Sequence, residues 1–204
     1  MAKAKLTKNE LKRQKDRLKR FTRYLPTLEL KKRQLIQEIG KIQYVIDGLW
    51  GDMDQLAAEV HQWVDVFAEE VDWQQLFGIK EVVVARGNIA GIDIPIFQDV
   101  VFEDFPYDLL QTPLWVDAGI EVCKQQSRSR AELQIAEKQR EILRAELRIT
   151  IQRIKLFEEV KIPQARESIR TIQIFLGDQQ TAEMVRGKIA KAKLAKKRQE
   201  AVPV

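Results

Sequence analysis

A side chain that does chemistry needs a nucleophile, a general base or a set of metal ligands, and this sequence is poor in all three. It holds one cysteine, Cys123, and one histidine, His61. A single cysteine makes no internal disulfide, and within AGIEVCKQQS Cys123 is expected to pack as a small apolar side chain rather than attack a substrate. No second histidine or further cysteine stands by His61 to complete a metal site or a histidine-based triad. The glycines occur singly or in a turn, without the Gly-Lys-Ser/Thr ending that cradles a nucleotide phosphate. We therefore assign no catalytic, metal-binding or cofactor-binding residue, and expect a chain that is not an enzyme. Four tryptophans, Trp50, Trp63, Trp73 and Trp115, fall toward one half. Core packing is their ordinary role, and an exposed one suits a protein interface.

The residues present in abundance are charged. Of 204 residues 32% are charged and 45% apolar, which suits a chain of long helices. Lys3, Lys5, Lys8, Lys12, Arg13, Lys15, Arg17, Lys19 and Arg20 crowd the beginning, and Arg186, Lys188, Lys191, Lys193, Lys196, Lys197 and Arg198 the end. Between them lies an acidic stretch: Asp52, Asp54, Glu59, Asp65, Glu69, Glu70 and Asp72, then Asp93, Asp99, Glu103, Asp104 and Asp108. No apolar run approaches the roughly 20 residues that cross a bilayer. The lysines at the start lead into more charge, not into the apolar core of a signal peptide. The expected location is cytoplasmic, without membrane insertion.

Positioning these charges falls to two long periodic segments. From Leu11 onward one seam reads Leu11, Leu18, Leu25, Lys32, Ile39, Ile46, Met53, Val60, Phe67. Its companion reads Gln14, Phe21, Leu28, Leu35, Ile42, Leu49, Leu56, Trp63. Alternating steps of four and three predict a coiled-coil helix over about residues 8–74. Pro26 deletes one helical hydrogen bond and predicts a kink. A second helix is expected over 113–198, with Thr112 as N-cap and Pro113 at the first position. Its stripe runs Leu133, Ala136, Leu143, Leu147, Ile151, Ile154, Phe157, then slips and resumes as Ile162, Ala165, Ile169, Ile172, Leu176. Pro163 lies at the slip, so a kink and a register change are expected together. Neither stripe can be buried alone, which predicts an antiparallel pair.

Between the helices Val82, Val83 and Val84 are β-branched, Gly87-Asn88 and Gly91 supply turn residues, and Ile92, Ile94 and Ile96 alternate with Asp93 and Pro95. This predicts a β-hairpin whose second strand Pro95 confines to an edge. VVFEDFPYDLLQTP reads as a loop pinned by Phe102, Phe105 and Tyr107. The fold class is all-α dominated: a long antiparallel two-helix coiled coil with a short β-hairpin insert. The expected divisions are 1–75 for the first helix, 76–112 for the middle foot and 113–204 for the second helix and basic tail.

Periodicity alone admits a coiled-coil scaffold or export-apparatus stalk. Basic ends admit a nucleic-acid-binding helical protein, although they lack interleaved aromatics and any base-reading module. Three segments point elsewhere. LTKNELKRQKDRLKRFTRYLPTLELKKRQLIQEI (Leu6–Ile39) resembles the opening of the D subunit of V/A-type ATPases, particularly bacterial ones. GNIAGIDIPIF (Gly87–Phe97) resembles that family's hairpin of the form N-x-x-G-x-x-x-P. RIKLFEEVKIPQARESIRTIQIFLGD (Arg153–Asp178) is similar to its R-V-N-x-x-E-x-x-x-I-P-x-x-x-x-x-I, matched at Arg153, Glu158, Ile162, Pro163 and Ile169 and departing from it at Ile154-Lys155. The three lie in order along nearly the whole chain.

The resemblance implies a non-catalytic central rotor shaft. In that family ATP is hydrolysed by a surrounding ring of A and B subunits whose sequential closure turns the shaft. The foot passes torque through a funnel-shaped C or d subunit to a membrane ring that moves protons or sodium, and the F subunit binds beside it. On this reading Lys12, Arg13, Arg17, Lys191, Lys193 and Lys197 face the A and B subunits. Val82, Val84, Gly87, Asn88, Gly91, Ile94 and Pro95 form the docking region for rotor partners, and Pro26 and Pro163 bend the helices.

Overall fold

A computed structural model describes residues 5–61, 76–106, 112–113 and 115–200. In order they form helix α1 (Lys8–His61), strands β1 (Phe77–Ile89) and β2 (Ile92–Asp104), helix α2 (Val116–Lys155), a π-turn (Leu156–Lys161) and helix α3 (Ile162–Glu200). The chain packs as two compact units, Met1–Glu29 with Ile151–Val204, and Leu30–Thr150.

The heptad seams are buried as their spacing demands. Every described seam position of α1, from Leu11 to Val60, is buried or half-buried, including the polar Gln14 and Lys32. The helix opens at Thr7, whose Oγ1 accepts the Glu10 N–H at 3.3 Å and whose carbonyl accepts the Leu11 N–H at 3.0 Å. Thr7 thus satisfies one of the donors a helix start leaves orphaned. α1 stays helical through Pro26. Its expected continuation to residue 74, with Phe67, Trp63 and Trp73, lies outside the described residues, as does Tyr107.

In the first unit α1 and the second helical segment run antiparallel. Leu6–Asn9 flank the same groove as Phe175–Glu183, and Phe21 stacks obliquely on Phe157 with ring centroids 5.2 Å apart. Ile154, Ile162, Ala165 and Ile172 are buried. Here the expected slip takes physical form, because the turn just before Pro163 widens to π geometry and the Ile162 N–H donates to the Phe157 carbonyl five residues back.

In the second unit Leu35, Ile42 and Ile46 of α1 share one core with Leu133, Ala136 and Leu143 of α2. Lys31 Nζ meets Glu146 Oε1 at 2.7 Å, and Arg140 Nη1 donates to Gln43 Oε1 at 2.8 Å, so this pair is also antiparallel. A smaller core gathers Leu76, Val116 and Ile120 with Phe77 and Trp115.

Two expectations need correcting. The hairpin is larger than Val82–Phe97: each strand has 13 residues, and Val100–Asp104, read as loop, belong to β2. Val82 pairs with Val100 and Ile79 with Phe102, and β-branched and aromatic residues favour such pleated, half-buried positions. α2 begins at Val116 rather than near Pro113, because the Val116 N–H turns back to the Pro113 carbonyl at 3.1 Å. The first carbonyl of regular helical spacing is then that of Trp115, which accepts the Gly119 N–H.

Candidate functional site

Sorted by compact unit, the charges separate. Residues 1–29 and 151–204 carry 22 basic and 9 acidic side chains, net +13, whereas residues 30–150 carry 13 basic and 21 acidic, net −8. The whole-chain value of +5 conceals this opposition.

On the basic unit Lys12, Arg13 and Arg17 project from α1 and are exposed. Arg13 and Arg17 are brought together with Lys5 and Lys161 around a groove of ≈ 590 Å³ floored by Phe21 and Ala165. Its one lining carboxylate, Glu10, is engaged by Arg13 at 4.0 Å and by Gln14 Nε2 at 2.8 Å. Sequence reasoning misses Lys5 and Lys161 here. The signal for Lys161 is the stripe 161, 164, 165, 168 opposite 10, 13, 14, 17, 21, whereas Lys5 precedes α1 and belongs to no stripe. Lys191, Lys193 and Lys197 do not join this cluster. They lie on α3 past Leu176, the last half-buried side chain among the described residues. From Gly177 to Lys197 every residue is exposed, including Met184, Val185, Ile189 and Leu194. This length of α3 packs against nothing among the described residues.

On the acidic unit the hairpin is anchored by one face. Ile94 is buried at 4% exposure in the main core, with Ile89 and Ile92 packed beside it. The sequence places Ile94 among the docking residues. The structure instead makes it an anchor, since a side chain buried in the core that α1 and α2 share cannot also face a partner. Gln139 Nε2 donates to the Pro95 carbonyl, and Arg128 meets Asp99 at 2.7 Å, so α2 holds β2 by side chains. The tight turn is narrower than Gly87–Gly91. Ala90 and Gly91 both take positive φ, 53° and 79°, while Asn88 Oδ1 accepts the Gly91 N–H at 3.0 Å and its Nδ2 donates to Asp93 Oδ1 at 2.8 Å. Gly87 sits in the strand, where a Cβ would lie 2.3 Å from Ile96 Cδ1. Ile79, Val82, Val84, Ile96 and Val101 remain exposed on the hairpin.

Cys123 is half-buried beside Leu56, Val60, Phe77 and Val122 around a cavity of ≈ 460 Å³, as its apolar neighbourhood suggests, and burial pushes its thiol pKa up. His61 is exposed. Among the described residues no three His, Cys, Asp or Glu side chains gather as a metal site, and no helix is long and apolar enough to cross a membrane. Trp50 is exposed and Trp115 packs in the smaller core.

An antiparallel helix pair in a basic unit, and another in an acidic unit that bears a hairpin, define a helix-dominated protein of two oppositely charged units. Comparison with known proteins gives this class its place. Residues 10–192 match the profile of the family described as the D subunit of ATP synthase. The V-type ATP synthase D subunit of Borreliella burgdorferi is 51% identical over 199 residues, covering 97% of this chain and 98% of that protein. The protein of the same description from Chlamydia muridarum is 32% identical over 193 residues, covering 93% and 95%. That of Chlamydia pneumoniae is 31% identical over 195 residues, covering 93% and 92%. The chain belongs to the family of V-type ATP synthase D subunits, the central-stalk component of the rotary ATPase.

Proposed function

We propose that this chain is the non-catalytic rotor shaft of its complex, turned by a ring of A and B subunits that carries the ATP chemistry. The observation that carries this reading is the stretch Gly177–Lys197. Twenty-one consecutive exposed helical residues, with six basic and two acidic side chains, continue a well-packed helix pair and leave apolar Met184, Val185, Ile189 and Leu194 uncovered. Most helical stability in proteins comes from packing an apolar face, and this stretch buries none among the described residues, so a surrounding partner is its natural support. Lys12, Arg13, Arg17, Lys191, Lys193 and Lys197 face that ring. Charged, exposed side chains make weak contacts that exchange as the ring's interfaces close in turn, whereas a buried apolar lock would hold one position.

The hairpin is the docking region for the other rotor subunits. Val82 and Val84 present apolar surface, Asn88 and Gly91 form the exposed turn, Gly87 and Pro95 shape the strands, and Ile94 anchors them. The F subunit binds beside this region, and a funnel-shaped subunit takes the torque to the membrane ring that moves protons or sodium. The chain itself is cytoplasmic and peripheral to the membrane. The test is reconstitution with the A, B and F subunits after trimming the chain behind Lys188. Assembly with the ring should weaken while binding of the F subunit persists. A trimmed chain that joins and turns within the ring as the full chain does would remove the tip from the mechanism.

A further inference from the structure

The seam of α1 in the basic unit keeps its four–three alternation without a lapse: Leu11, Gln14, Leu18, Phe21, Leu25 and Leu28 are all half-buried. Its partner does not. Its inward positions run Ile154, Phe157, Ile162, Ala165, Ile169, Ile172, Leu176, so one step, from Phe157 to Ile162, is five residues long. The surplus residue is housed in the π-turn Leu156–Lys161, closed by the Ile162 N–H on the Phe157 carbonyl. The cause is local. Pro163 has no N–H for the Glu159 carbonyl, and its ring would strike that carbonyl in an α-turn. Widening to i→i+5 bonding relieves the clash and leaves the Glu159 carbonyl without its α-helical donor.

The surplus residue is also trapped. Continuing an α-helix forward from Phe157 would turn Lys161, Gln164 and Ser168 into the seam. Continuing one backward from Ile162 would bring in Glu158 and Lys155. Either shift buries polar groups in place of apolar ones, so the wide turn cannot migrate along the helix. Meanwhile Leu156 and Val160, both apolar, stand 43% and 37% exposed on its outer side. Removing one residue would give an unbroken four–three stripe, so the packing of this unit does not itself require the insertion.

We propose that the π-turn Leu156–Lys161 with Pro163 is a torsional joint of fixed position, the place where the second helix takes up twist while its seam stays in register. This rests on the rotor reading and deepens it. A shaft loaded at its tip and held at its foot accumulates twist, and the turn with the weakest backbone bonding yields first, as π-turns and prolines do in bent helices.

Hydrogen exchange on the full chain, before and after assembly with the A/B ring, tests it. Amides of residues 159–162 should exchange at least about tenfold faster than those of Ile151–Ile154 and Ile169–Ile172 in the same unit. Deleting Val160 together with Pro163→Ala should abolish the difference, leave the melting temperature unchanged or higher, and preserve assembly and ring ATP hydrolysis. It should also lower the ions moved per ATP in the membrane-bound complex. Uniform exchange in the unaltered chain, or full coupling in the deleted one, would overturn the joint. Loss of assembly by the unaltered chain would instead strike the rotor reading. Should the deleted chain fail to fold, the unaltered chain decides alone: faster exchange at 159–162 of the stated size sustains the proposal, and uniform exchange defeats it.

Discussion

A buried hydroxyl without a partner costs stability. Thr150 in α2 is wholly buried, and its Oγ1 has no hydrogen-bond partner among the described residues. Thr150→Val keeps the shape and removes the desolvation penalty, so it should stabilise the chain by about 1–2 kcal/mol. Thermal unfolding measures this, and a lowered melting temperature would mean that the hydroxyl has a bonded role. Cys123 makes a second residue-scale case. Burial raises its pKa above the usual 9.0, so the protonated thiol favours the folded state. That contribution is complete below pH 9.0 and is lost as pH rises through the folded value. Alkylation by iodoacetamide at pH 9.0 should accordingly run slower in the folded chain than in urea, since only the thiolate reacts. Equal rates would show that the site is neither shielded nor shifted.

At the scale of elements, spacing is a reliable guide wherever a stripe has to be buried. Leu35, Ile42, Leu133, Ala136, Leu143 and Ile172 are all legible as core because a coiled-coil seam has one solution to its period. The slip near Pro163 is legible too, but not its form, since a proline says that a bond is missing and not how the turn adjusts. The hairpin is only half legible. Gly78 reads as a turn residue inside β1, and two bulges, between Ile79 and Glu81 and between Val83 and Val84, break the alternation that marks a strand. The anchoring of Ile94 is illegible because it depends on α2, some 40 residues away in sequence. The same contrast yields a prediction. Leu143 is fully buried and Leu194 is 64% exposed. Leu143→Ala should cost about 2–5 kcal/mol by leaving a cavity, whereas Leu194→Ala should stay within about 0.5 kcal/mol in the isolated chain. Denaturant unfolding separates the two, and a large loss at Leu194 would mean that this part of α3 packs on something.

For the whole molecule, if the basic unit faces the A/B ring as proposed, the charge separation sets what kind of grip the ring can have. A net +13 on one unit and −8 on the other cannot be a matter of solubility, for which an even spread would serve. It gives the two units different electrostatic partners. Exposed ion pairs contribute only about 0–1 kcal/mol each, and salt screens them over roughly 8 Å at physiological ionic strength. A grip built from many such pairs is strong in sum and weak at every point, which is what a shaft needs if it is to pass from one ring interface to the next. Affinity of the chain for the A/B ring should therefore fall steadily as sodium chloride is raised. Each of Lys12→Gln, Arg13→Gln, Arg17→Gln, Lys191→Gln, Lys193→Gln and Lys197→Gln should weaken binding by no more than about 1 kcal/mol, with helicity unchanged by circular dichroism. The six together should flatten the salt dependence. One substitution that abolished binding by itself, or a sixfold variant with the salt slope of the unaltered chain, would show that the ring holds this helix by a fixed lock and that the basic surface serves another partner.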